Sequence, residues 1–171
     1  MRALEGIEAG PSHPRLWDRH ASPISILILG GILLAAWLGV TGGQPSPPRT
    51  ADFGDARLTV KTPTTIRNGE FFETDITLTA KVPIEDAVIA VTPALWHDMT
   101  VNTMIPAAAE ENFEDGRFHF AYGPLDAGDS LHVKIDGQIN PPLFAGTEGE
   151  IAVLDGDRRI GAMPLRIKVR P

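Results

Sequence analysis

The stretch Phe72-Glu-Thr-Asp-Ile-Thr-Leu-Thr-Ala-Lys81 sets the fold class. Phe72, Thr74, Ile76, Leu78 and Ala80 alternate with Glu73, Asp75, Thr77, Thr79 and Lys81. A period of two puts the first set on one face of a β-strand and the second on the other, so one face is buried and one is wet. Working outward, Asn68-Gly69 marks a turn before this strand, and Leu58 to Val60 reads as a short first strand ending near Pro63. Ala87 to Val91 is a continuous apolar run that suits a central strand. Met99, Val101 and Ile105 predict another strand after an interruption at Pro93. Arg117 to Tyr122 alternates with Phe118, Phe120 and Tyr122 inward, as do Leu131, Val133 and Ile135 further on. Ile151 to Leu154 and Ile160 to Val169 complete the set, joined by the hairpin pair Asp155-Gly156. The inward parity of the last strand switches between Ala162 and Leu165, which predicts a bulge at Met163-Pro164, with Pro164 marking an edge strand. Seven to eight short strands with turn signals predict an all-β chain folded as an antiparallel β-sandwich.

Ahead of the strands lies Ile24 to Val40, ISILILGGILLAAWLGV, with no charge and Ser25 as its only polar side chain. Its length predicts one N-terminal transmembrane helix over residues 23–42. Residues 1–22 then read as a mostly disordered cytoplasmic tail, with Trp17 at the interface. Residues 43–56 form a Pro-rich linker around Gln44-Pro-Ser-Pro-Pro48, and residues 57–171 an extracytoplasmic domain. Arg15 and Arg19 before the span nearly balance Arg49 and Arg57 after it; they lie nearer to it, which places the N-terminus in the cytoplasm. The alternative is a cleaved signal peptide, with Val40 and Gly42 at the small-residue positions. Gly31, Ala35 and Gly39 recur every fourth residue and predict a helix-packing seam for a second copy or for a different membrane protein.

The net charge of −7 lies beyond the first 22 residues, where three arginines face three carboxylates. An acidic domain argues against a nucleic-acid partner. The absence of cysteine excludes disulfides, thiolate chemistry and Cys-type zinc sites. An exported domain without disulfides fits a bacterial envelope, so the expected location is the bacterial inner membrane with the C-terminal domain periplasmic.

The segment Tyr122-Gly-Pro-Leu-Asp-Ala-Gly-Asp-Ser-Leu-His-Val-Lys-Ile resembles the strand-start signature of immunoglobulin-like modules in bacterial and archaeal envelope proteins. The runs Thr100-Val-Asn-Thr-Met-Ile-Pro, Glu-Asp-Gly-Arg and Ile139-Asn-Pro-Pro resemble a group of small, uncharacterised bacterial single-span membrane proteins. The likeness covers about the last hundred residues. It implies an immunoglobulin-like sandwich and no catalytic residues.

Candidate chemistry is sparse. Trp96-His97-Asp98 could orient an imidazole as a base, but the one serine of the domain, Ser130, lacks a nucleophile-elbow context. Trp96 is expected in the place where many immunoglobulin folds keep a buried tryptophan, or else at an exposed recognition tip. A simple hairpin over Tyr122 to Asp129 would set His119 opposite His132 and Arg117 opposite Lys134; two imidazoles beside two cations make no metal site. Glu110, Glu111, Glu114 and Asp115 read as a solvated acidic loop without calcium spacing. Leu143 and Phe144 in the loop Asn140 to Gly146 either tuck under the sandwich or protrude toward a partner. Arg158, Arg159, Arg166, Lys168 and Arg170 make the closing hairpin basic, as edge protection or as an acidic partner's dock.

Taken together, these residues predict no metal, no cofactor and no enzyme. The expected function is an interaction or accessory module beside another envelope or membrane protein, with Trp96, His97, Asp98, Leu143 and Phe144 as contact residues. The alternatives are a module that senses a ligand or cell-wall glycan, and a structural spacer.

Overall fold

The computed structural model describes residues 16–40, 46–141, 143 and 145–170, with side chains from residue 23 onward. The chain divides into two compact units, Met1–Val40 and Thr41–Pro171. The first unit holds helix α1, Leu16–Trp37. Among the described residues, no helix is long and apolar enough to cross a membrane. This corrects the expected transmembrane helix over residues 23–42, and with it the membrane as a partner. The physical reason lies at both ends. The helix starts early, so Asp18, Arg19 and His20 occupy its opening turn. It stops at Trp37, where Gly39 takes φ 72°. Val40 N–H bonds Ala35 C=O and Gly39 N–H bonds Ala36 C=O, each at 3.0 Å. That pair of bonds is the glycine-terminated helix cap known as a Schellman motif. The apolar part, Ile24 to Trp37, is then about 21 Å long at 1.5 Å per residue, short of the ~30 Å hydrocarbon core. Residues 1–15, most of the expected tail, lie outside the described residues, as do residues 41–42 of the expected span and 43–45 of the expected linker.

The second unit is a two-sheet β-sandwich. Its strands are β1 (Arg49–Asp52), β2 (Ala56–Lys61), β3 (Thr65–Arg67), β4 (Phe71–Ala80), β5 (Ala87–Val91), β6 (Met99–Ile105), β7 (Glu110–Glu114), β8 (Arg117–Ala121), β9 (Ser130–Ile139), β10 (Thr147–Asp155) and β11 (Arg158–Arg170). One sheet runs β1-β2-β4-β9-β6 and the other β3-β11-β10-β5-β8-β7. Neighbours are antiparallel except β3, which joins the end of β11 in parallel through Lys168 to Arg170. The β-sandwich expectation fits, with eleven strands among the described residues where seven to eight were predicted.

The alternation in β4 and its neighbours builds the core. Leu58, Val60, Ile76, Leu78, Val133 and Ile135 from one sheet face Ile89, Val91, Phe120, Ile151, Val153, Met163 and Leu165 from the other. Each large side chain removed from water contributes about 1.5–3 kcal/mol. β5 is buried at every position: Ile89 and Val91 join the inter-sheet core, while Val88 and Ala90 cluster with Ala152 and Leu154 on the other face. The outer face of the first sheet is polar and internally paired: Thr50 with Thr59, Thr79 with Ser130, and Thr77 with His132 Nδ1 at 3.0 Å.

Four local features differ from the sequence reading. β1 lies inside the expected linker and pairs with β2. The acidic segment expected as a loop is strand β7, hairpinned to β8. Tyr122 to Asp129 is not a hairpin but a crossover between the sheets, so His119 faces Ala90 and Asn112 while His132 faces Thr77. The bulge falls at Ile160, which β10 skips between Gly161 and Arg159, rather than at Met163-Pro164. Gly161 then shares the inward face of Met163, and the Phe53 ring fills the space a Cβ there would need, 2.3 Å away. Pro164 pairs with Glu150 on the stretch of β11 that β3 leaves uncovered, which suits its missing N–H.

Glycines separate by what surrounds them. At Gly146, φ is +101° and a Cβ would sit 2.0 Å from the Ile167 carbonyl oxygen. At Gly116, φ is +71° with nothing within 4 Å. Gly116→Ala therefore costs about 1–2 kcal/mol of backbone strain alone. Gly146→Ala adds a main-chain clash, and denaturant melts should show the larger loss at Gly146 with an unchanged m-value.

Candidate functional site

A sandwich closes its faces but leaves its edges open. On one side the sheets end in β6 and β7, and between them runs a groove of about 390 Å³. Trp96, Phe118 and Phe120 line it from below, with Val101, Asn102, Thr103 and Met104 along one wall and Glu111 on the other. Thr92-Pro93 starts a 3-10 turn, Pro93–Trp96, that drops Leu95 into the core and leaves Trp96 beside β8. Asn102 is an extra residue in β6, since Val101 pairs with Gly137 and Thr103 with Asp136. Such a bulge bends the strand locally.

The floor is a connected set of rings. Trp96 stacks on Phe118 at 5.9 Å between centroids and 25° between planes, and tilts against Phe120 at 5.7 Å. Phe113 of β7 extends the set outward, 5.2 Å from Phe118, and is 61% exposed. Offset and edge-on ring pairs of this kind add about 0.5–1.5 kcal/mol beyond their buried area. Beneath the wall, Tyr122 Oη donates to Met104 Sδ at 3.1 Å. Burial, and next the Glu111 carboxylate, push the Tyr122 hydroxyl up to about 12.

The predicted contact residues do not assemble into one site. Trp96 is in the groove. His97 is 71% exposed and, among the described residues, pairs only with its neighbour, Nδ1 to Asp98 Oδ2 at 3.1 Å. Asp98 takes φ 53° to turn the chain into β6, and its C=O accepts from Asn140 N–H. Met99 faces Ile139 at the far end of β9 from Ser130, about 30 Å along the strand, so Ser130 and His97 are not companions. Leu143 is buried with Ile66, Ile139, Ile167 and Val169, so it is tucked rather than protruding. Phe144 lies outside the described residues. In α1, Gly31 and Ala35 share the helix, but Gly39 lies past its end as the cap. Among the described residues, no three His, Asp or Glu side chains are grouped to hold a metal.

Sequence reasoning missed Phe113, Met104 and Glu111. The signal was present in Asn112-Phe-Glu-Asp-Gly-Arg-Phe118, where Asp115-Gly116 is a hairpin turn with an aromatic on each side. A second hollow, about 460 Å³, opens between Arg49 and Pro164, Leu165, Glu148 and Arg166. It has no aromatic lining, and its Arg166 is paired with Glu148 at 3.7 Å.

No protein-family profile matches the chain, and neither does any curated protein. Among solved structures, the solution structure of CaCohA2 from Clostridium acetobutylicum is similar at 14% identity and a TM-score of 0.43, over 65% of this chain and 90% of that one. The GH20 exo-β-N-acetylglucosaminidase from Vibrio harveyi in complex with N-acetylglucosamine is similar at 11% identity and a TM-score of 0.30, over 69% of this chain and 18% of that one.

The chain contains a single tyrosine, so absorbance near 295 nm reads Tyr122 alone. Its ionisation should have a midpoint near 12 in the folded chain. Because the folded hydroxyl holds its proton more tightly than an unfolded one at about 10, stability is complete below that pH and falls as pH rises from ~10 toward 12. Met104→Ala admits water and should bring the midpoint down toward the ordinary value.

Proposed function

We propose that this chain is a non-enzymatic binding module that recognises a partner polypeptide at the groove between β6 and β7. The single observation that carries this reading is the ring set Trp96–Phe118–Phe113, which runs from the core to a surface where Phe113 is 61% exposed. Large aromatics that are rigidly backed yet reachable are the usual anchors of protein interfaces, because they bury much area for little lost rotamer freedom. Val101, 37% exposed on the opposite wall, widens the apolar surface, and Glu111 with Asn102 and Thr103 provides a polar rim. A second reading, a ligand or glycan stacked on Trp96, draws on the same ring and polar rim.

Peptide display against the full chain separates the two. Selected peptides should bind the parent and lose at least tenfold in affinity to Phe113→Ala, whose melting temperature stays close to the parent because the ring is mostly exposed. Peptides that bind both proteins equally would place the site elsewhere. Enrichment on a glycan array, with no peptide selected, would favour the ligand reading instead.

A further inference from the structure

We propose that β7 accepts an extended peptide as an added strand, and that this occupant alternates large apolar residues with Lys or Arg. The inference rests on the groove being the binding surface and adds the geometry and charge of what binds.

The main chain of β7 is open. Asp115 and Gly116 form a two-residue turn with φ 49° and 71°, closing Glu114 against Arg117. Such a turn makes its closing pair hydrogen-bonded, and bonded pairs alternate along an antiparallel ladder. Glu110, Asn112 and Glu114 therefore spend their main-chain groups on β8, while Glu111 and Phe113 direct theirs away. Among the described residues, no strand lies on that side.

The side chains of β7 sort by the same alternation. Phe113 faces inward opposite Phe118, beside Trp96. Glu110, Asn112 and Glu114 fall on the outer face with His119 and Ala121, where Asp86 and Asp157 join them around a small hollow of about 90 Å³. An added strand places alternate side chains over these two faces in turn. Those on the inner face meet aromatic rings and the Glu111 carboxylate; those on the outer face meet, around that hollow, carboxylates alone among charged groups.

Charge then selects the occupant. Among the described residues, no Lys or Arg lies within salt-bridge distance of Glu110, Glu111, Glu114 or Asp115. Arg117, the nearest candidate in the hairpin, is committed to Glu150. Charged residues on an edge strand ordinarily prevent pairing. Here they repel acidic strands and the same edge of a second copy, and a neutral strand would desolvate them without compensation, while the exposed Phe113 supplies the apolar contact that a purely protective edge would avoid. A basic strand is the one occupant that satisfies both faces.

The test uses the full chain and three capped synthetic heptapeptides. One alternates Lys or Arg with Val or Phe, one carries Glu in place of every basic residue, and one has the first composition in an order that breaks the alternation. The alternating basic peptide should bind at least tenfold more tightly than either control, weaken with added salt, and slow amide exchange at Glu111 and Phe113 by at least tenfold. Glu110→Lys with Glu114→Lys should reduce that binding at least tenfold while the melt stays cooperative. Binding without slowed exchange at Glu111 and Phe113 would overturn strand addition and leave the groove reading standing. Equal binding of the scrambled or acidic peptide would overturn the proposed occupant. If display-selected peptides bind through Phe113 but the alternating peptide does not, the groove is correct and this occupant is wrong.

Discussion

The structure depends on one constraint, the mating of two sheet faces whose side chains repeat every second residue. Because β4 alternates strictly, Thr74, Ile76, Leu78 and Ala80 all go inward and their intervening partners all go to water. A one-residue slip would invert the whole strand, so register is fixed by burial. Of the buried threonines, Thr62 and Thr74 share a hydroxyl contact at 2.7 Å, while the Thr147 hydroxyl has no hydrogen-bond partner among the described residues. Where a strand must cross between layers, a carboxylate supports the turn. Asp155 accepts from the N–H groups of Asp86 and Glu85 and from Arg158, and these bonds, the Asp86 one foremost and the Arg158 one next, hold its carboxyl below the usual range.

That same period made much of the sandwich legible. The faces of β4, β8 and β9 follow directly from the chain; for Trp96 the chain left packing and an exposed tip both open, and the fold sets it half-buried against Phe118 and Phe120. What could not be read is what periodicity does not encode. Alternation gives a strand its faces but not its neighbours, so Tyr122 to Asp129 read as a hairpin when it is a crossover, and two histidines placed side by side belong to different sheets. Strand β7 was hidden because Glu-Glu-Asn-Phe-Glu has no apolar face to alternate; an edge strand with both sides wet carries little hydrophobic signal. Gly39 illustrates ambiguity at a single residue. A glycine at four-residue spacing can belong to a helix seam or end the helix, and here the left-handed φ decides for the end.

Spent and unspent charge are distributed unevenly over the edges of the sandwich. The basic closing hairpin read in sequence first as edge protection, with a dock for an acidic partner as the alternative. In the fold, Arg158 bridges Asp55 and Asp155, Arg159 joins Arg117 on Glu150, and Arg166 reaches Glu148. Those cations are largely used within the domain, and Arg117 and Arg159 reach Glu150 on the face where Val88, Ala90, Ala152 and Leu154 are buried. Exposed pairs of this kind contribute only about 0–1 kcal/mol each, but they do remove the field that would attract an anionic partner. The acidic hairpin is the converse. Among the described residues its carboxylates have no counterions and its outer strand has no neighbour, and Phe113, the one aromatic of that strand, leans on the core through a second ring. Solvent alone could satisfy the charges and the main chain, but it gains nothing from Phe113. An edge built only to repel would place a charge there; under the proposed strand addition, the ring makes this edge selective rather than closed.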